Sequence, residues 1–97
     1  MILGVTEAEQ KIITNILEKY YSKYSFYYFG SRVKGKYSAV SDLDILIKGK
    51  NRIPSIELEE IKEKFDESSL PYIVNFVDYY NISKQFYDSI KEECKNI

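Results

Sequence analysis

Phe29-Gly30-Ser31-Arg32-Val33-Lys34-Gly35 and Ser41-Asp42-Leu43-Asp44-Ile45-Leu46-Ile47 lie close together in this 97-residue chain, with ten residues between Ser31 and Asp42. The aromatic run Phe26–Phe29 before Gly30 suits a buried strand. A glycine where strand gives way to helix lets the backbone approach a ligand closely. The helix start behind it offers free N–H groups and a positive dipole end, which suits phosphate. The Ser31 hydroxyl adds a hydrogen bond, and Arg32, Lys34 and Lys36 add positive charge. Further on, Leu43, Ile45 and Ile47 alternate with Asp42 and Asp44, the period of a second strand. The two aspartates share a strand face, with Cα atoms about 6.5 Å apart. Such a pair converges on one hard cation, and Mg²⁺ suits it best because water and substrate phosphates complete its shell. A phosphate cradle beside a Mg²⁺ ledge is equipment for phosphoryl or nucleotidyl transfer. Gly-Ser alone is a common turn, and Asp-Leu-Asp alone fits a solvated strand start. Their joint occurrence at this spacing is the specific signal.

Outward from this stretch, helices and strands alternate. Thr6-Glu7-Ala8-Glu9 reads as a capping box. Ile12, Ile13, Ile16, Leu17, Tyr20, Tyr21 and Tyr24 then follow a helical stripe. After the second strand comes the basic loop Lys48–Arg52. Pro54 suits a helix start, and Leu58, Ile61 and Phe65 mark a helix expected to end near Ser68–Ser69. Tyr72–Val77 is β-branched and aromatic, a third strand. Ser83 can cap a last helix carrying Phe86, Tyr87, Ile90 and Cys94. The expected order is α-β-α-β-α-β-α, a three-stranded sheet covered by helices, in one domain over residues 1–97.

Composition narrows the chemistry. The chain is 44% apolar, enough to bury a core, and its net charge of −1 argues against a nucleic-acid-coating protein. Cys94 is the only cysteine and histidine is absent, so disulfide frameworks, zinc clusters and His-based triads are excluded. No apolar run approaches the ~20 residues of a membrane span, and no signal-peptide pattern opens the chain. A cytoplasmic location is expected, with no membrane contact and no direct nucleic-acid binding.

The segments Phe29–Gly35 and Ser41–Ile47 resemble the DNA polymerase beta-like nucleotidyltransferases, and most of all their smallest branch, the minimal nucleotidyltransferases (MNT proteins). The family signature is Gly-Ser, ten residues, Asp-x-Asp, and Gly30 through Asp44 match it without a gap. The lead Leu70-Pro71-Tyr72 and the tail from Ser83 to Ile97, with Phe86, are also similar. The resemblance implies a nucleotidyltransferase fold of α/β (α+β) class, with a mixed sheet holding an NTP, expected to be ATP, and Mg²⁺. By resemblance, Asp42 and Asp44 are the first two of three metal carboxylates. Gly30 and Ser31 hold the triphosphate, with Arg32 or Lys34 supplying charge. The partner it implies is a small all-helical HEPN protein encoded nearby, against which such proteins act as antitoxins. They do so by direct binding or by transferring AMP to a toxin tyrosine.

One position departs from the pattern. Where the family has a third aspartate, Val74-Asn75-Phe76-Val77-Asp78 places Asn75. An amide offers one neutral acceptor and cannot act as a base. Asp78, an odd number of residues away, belongs on the opposite sheet face. Two functions stay open: a Mg²⁺-dependent enzyme transferring a nucleoside monophosphate, expected to be AMP, to a hydroxyl of a partner protein, or a catalytically weakened module that neutralises the partner by occlusion. Tyr79, Tyr80 and Tyr87 are candidates for a partner-facing patch.

Overall fold

The computed structural model describes residues 2–97. Helix α1 (Glu7–Leu17) begins with the expected capping box: the Thr6 hydroxyl accepts from the Glu9 N–H at 3.1 Å, and the Glu9 carboxylate accepts from the Thr6 N–H at 3.2 Å. Ile13 and Leu17 are fully buried and fix the face α1 turns to the core. The helical stripe does not run on to Tyr24 as expected. A 3₁₀ turn over Glu18–Tyr20 closes the helix, and Tyr24 opens β1 (Tyr24–Phe29), where it pairs with Gly49. Tyr21 and Tyr24 fit helical spacing, but ladder pairing of the aromatic run wins over it.

The chain continues through α2 (Ser31–Lys34), β2 (Leu43–Gly49), α3 (Ser55–Asp66), β3 (Val74–Asp78), a 3₁₀ turn over Tyr79–Asn81, α4 (Lys84–Ile90) and β4 (Lys95–Asn96). Pro54 precedes α3 as its N-cap. That helix stops short of Ser68, whose hydroxyl donates to the Phe65 carbonyl at 2.6 Å. Ser83 caps α4, accepting from the Phe86 N–H at 3.0 Å.

The sheet is mixed and ordered β3-β2-β1-β4, with β1–β2 and β1–β4 antiparallel and β2–β3 parallel. It has four strands rather than the expected three. Lys95 and Asn96 pair with Tyr28 and Tyr27 along the outer edge of β1. Two residues carry no periodicity of their own, so only the place where α4 delivers the tail makes them a strand.

Leu43, Ile45 and Ile47 face the main core with Phe26, Tyr28, Ile13, Leu17, Ile61 and Phe65. Leu46 lies on the other face, in a smaller cluster with Phe29 and Ile90 of α4. Asp44 shares the parity of Leu46, so the aspartates stand on the sheet face that α4 covers only in part.

Candidate active site

The acidic end of β2 is built by register. Asp44 pairs with Phe29 of β1 on one side and with Asn75 of β3 on the other. Asp42 lies just before β2 and is exposed; Asp44 is half-buried. Both carboxylates reach the same side-chain nitrogen: Asn75 Nδ2 donates to Asp42 Oδ2 at 3.2 Å and to Asp44 Oδ1 at 3.1 Å. The pair therefore converges, and the amide stands between two negative groups that would otherwise repel each other.

The Gly30–Ser31 turn adjoins this pair. Gly30 has φ +86° and ψ −151°, a conformation essentially reserved for glycine. A Cβ there would come within 2.5 Å of Asp44 Oδ2, so the missing side chain is also what lets turn and carboxylate approach. Ser31 follows, half-buried, as the first residue of α2.

Two basic residues expected beside the phosphates behave differently. Lys34 is exposed, with its Nζ 3.7 Å from Glu93 Oε1. Arg32 is fully buried, and its guanidinium donates to the Leu3 carbonyl at 3.1 Å and the Ser41 carbonyl at 2.7 Å. Helical geometry directs its side chain under the loop entering β2 rather than toward open solvent. A triphosphate on the Gly30–Ser31 turn would not meet it in this position.

Glu93 gives no sequence signal. Its Oε2 accepts from the Gly30 N–H at 2.7 Å, continuing the edge of β1 where β4 ends. Asp78 lies outside the site, as its parity expects. It is buried, and its carboxylate accepts from the Ile53 N–H at 2.8 Å and the Tyr80 N–H at 3.1 Å.

The donor set of two converging carboxylates fits a hard divalent cation such as Mg²⁺, provided the Asn75 amide rotates its oxygen inward or moves aside. Among the described residues no three of His, Cys, Asp and Glu gather at one point; opposite Asp44 stands an amide.

The family model of the nucleotidyltransferase domain matches residues 10–97, which includes every residue of this site. The chain belongs to that family. It is a nucleotidyltransferase of the minimal, MNT type, and 34% identical over 90 residues to the probable protein adenylyltransferase MntA of Haemophilus influenzae, covering 93% of this chain and 79% of that relative. A crystal structure of a toxin–antitoxin with AMP-PNP superposes with a TM-score of 0.71 at 25% identity, over 90% of this chain and 70% of that one. A mutant of the toxin–antitoxin MntA–HpeT shares the fold, with a TM-score of 0.70 at 24% identity over 91% and 70% of the two chains.

This nucleotidyltransferase also carries an aromatic cluster at the far end of the same sheet face. The Tyr79 ring meets those of Tyr80 and Tyr87 edge-on at 5.0 and 4.9 Å, and Lys48 Nζ lies 4.5 Å from the Tyr79 centroid. The three tyrosines are contiguous. Tyr79 and Tyr87 pack on the smaller core, and Tyr80 is exposed. Among the described residues no helix is long and apolar enough to cross a membrane.

Proposed function

We propose that the protein is a Mg²⁺-dependent nucleotidyltransferase that moves AMP from ATP to a hydroxyl of a partner protein, acting as antitoxin to a small all-helical HEPN-type toxin. The observation that carries this reading is the convergence of Asp42 and Asp44 beside the Gly30–Ser31 turn. The AMP-PNP and toxin–antitoxin character of its structural relative supports the nucleotide and the partner class. In this reading residues 1–97 are a single minimal nucleotidyltransferase domain.

In this reading Gly30 and Ser31 hold the β- and γ-phosphates, and Lys34 supplies positive charge once it leaves Glu93. Asp42 and Asp44 hold Mg²⁺, which when bound neutralises charge building on the phosphates. The acceptor oxygen bonds to the α-phosphorus, the α–β bridge breaks, and pyrophosphate departs. Asn75 cannot take the acceptor's proton, so that proton passes to water or to one of the aspartates. Losing a positioned base costs about 10²–10⁴-fold in rate. In this reading the partner presents the acceptor hydroxyl.

Asn75 also favours a second reading, in which the same fold binds nucleotide and neutralises the toxin by occlusion alone. Incubating the protein with α-labelled ATP, Mg²⁺ and its co-expressed partner separates the two. Label on the partner, abolished by Asp42→Asn, supports transfer. MgATP binding without label supports occlusion, and absence of MgATP binding defeats both nucleotide assignments.

A further inference from the structure

Arg32 is the one fully buried cation among the described residues, and no ion pair involves it. An unpaired charge in a core is costly, and an apolar side chain of similar size there is often as stable or more so. The guanidinium is held by other means. Two charge-assisted hydrogen bonds run to backbone carbonyls, Nη1 to Leu3 and Nη2 to Ser41. The Tyr72 ring lies 4.4 Å from Cζ and the Tyr37 ring 5.9 Å. Nε has no partner among the described residues. The two ends of the fork carry the bonding, while the donor nearest the stem goes unused.

Those ends join three separate parts of the chain. Arg32 belongs to α2, directly behind the Gly30–Ser31 turn; Leu3 lies in the turn before α1; and Ser41 immediately precedes Asp42. The loop from Gly35 to Asp42 is shaped by its own Ser38–Ser41 bonds, the Ser38 N–H donating to Ser41 Oγ at 2.7 Å and the Ser41 N–H to the Ser38 carbonyl at 3.2 Å. At its ends the Lys36 N–H donates to the Ser31 carbonyl at 3.1 Å, and Asp42 accepts from Asn75 Nδ2 at 3.2 Å. Between those ends, among the described residues, the Nη2 bond to the Ser41 carbonyl is the hydrogen bond that ties residues 37–41 to the body of the protein.

We propose that Arg32 is a positioning residue, whose buried fork fixes Asp42 relative to the Gly30–Ser31 turn by gripping the Ser41 carbonyl. The proposal rests on the reading that Asp42 and Asp44 hold a divalent ion. Helix α2 thereby acquires a second role, in which one residue of the phosphate turn sets the position of a metal carboxylate. Lysine cannot replace it, because a single ammonium has no planar fork to span two carbonyls.

The test compares Arg32→Lys with wild type in the full chain, by Mn²⁺ titration without nucleotide, ATP binding, and amide exchange over residues 38–43. The expected result is a folded variant that binds Mn²⁺ about 10–100-fold more weakly, the usual cost of removing a group that orients a metal ligand. Exchange should quicken at residues 38–43 and stay unchanged in β1. Unchanged Mn²⁺ affinity together with unchanged loop protection would overturn the proposal. So would weaker ATP binding with intact Mn²⁺ affinity, which would make Arg32 a phosphate ligand. If wild type itself binds no Mn²⁺, the metal reading fails, and the exchange comparison alone decides whether Arg32 holds the loop.

Should Arg32→Lys not fold, Gly4→Ala probes the same seat from outside. Its Cβ would collide with the Tyr37 ring and come within 2.9 Å of Arg32 Nη1. A several-fold loss of Mn²⁺ affinity with faster loop exchange is expected. A folded Gly4→Ala protein with wild-type values in both would count against the proposal.

Discussion

Asn75 Nδ2 donates to Asp44 Oδ1 at 3.1 Å across the parallel pair of β2 and β3. At the position where relatives are expected to carry a negative group, this chain places a donor. The amide holds the carboxylates together without a cation, and it must turn or yield when one arrives. Asn75→Asp reverses both properties. Divalent-ion affinity is expected to rise about tenfold or more, in line with the effect of groups around a metal. Metal-free stability should fall by up to about 1 kcal/mol from like charges facing across strands. Mn²⁺ titration and metal-free melting check the two halves, and transfer to the partner should accelerate in parallel.

Asp42→Ala and Asp44→Ala should each abolish Mg²⁺-dependent ATP binding and leave the fold intact. Neither carboxylate supports the core, and losing one relieves repulsion in the metal-free state. Calorimetric titration with MgATP, alongside a thermal melt, is the check. Wild-type affinity in the double variant would refute the metal assignment.

Gly30→Ala should destabilise the protein by about 2 kcal/mol, the typical cost of forcing a side chain into a conformation kept for glycine. Contact with Asp44 Oδ2 adds to this. Urea unfolding measures the loss, and ATP binding should weaken beyond what stability explains, because turn and carboxylate are pushed apart.

Glu93→Gln keeps a hydrogen-bond acceptor for the Gly30 N–H but removes a negative charge beside the proposed triphosphate site and releases Lys34. ATP should bind several-fold more tightly at low ionic strength, and the gain should shrink as salt screens it. Weaker binding in the variant would show that the carboxylate mainly holds the turn in shape.

The Tyr72 hydroxyl is pushed up to about 12, first by burial and then by the charge of Glu9, whose Oε1 accepts its hydrogen bond at 3.3 Å. The folded state thus keeps this phenol neutral over a range in which the unfolded chain ionises it. Its contribution to stability is complete below the ordinary value of 10.0 and is lost as pH rises from there toward about 12. Melting temperature followed from pH 8 to 12 should drop more steeply in wild type than in Tyr72→Phe.

Much of this arrangement is legible in the sequence because the residues involved obey local rules. Alternation around Asp42 and Asp44 gives a strand with both carboxylates on one face, and the parity of Asn75 and Asp78 separates them. Thr6 and Ser83 announce their helices. The burial of Arg32 is not legible for a physical reason: a basic residue after Gly-Ser is well placed for phosphate, and only the tertiary path of residues 36–41 turns its surroundings into a core. Glu93 and the two residues of β4 are equally silent, since their partners lie on β1 and its following turn, far away in the chain. Tyr21 and Tyr24 satisfy helical spacing until strand pairing claims Tyr24.

The mixed pairing of β2 has a consequence for the order in which the protein comes together. Its antiparallel partner β1 precedes it by a short connection, whereas Asn75 meets Asp44 across a separation of 31 residues that contains all of α3. Closing the longer loop carries the larger entropic cost, and non-local parallel pairing is the slower step. Pulsed amide exchange during refolding should find Phe26–Tyr28 protected before Val74–Val77. A chain caught between those stages would already carry the glycine turn and both aspartates, but not the amide that bridges them. Such an intermediate would hold its two like charges unbridged and repelling each other until β3 docks.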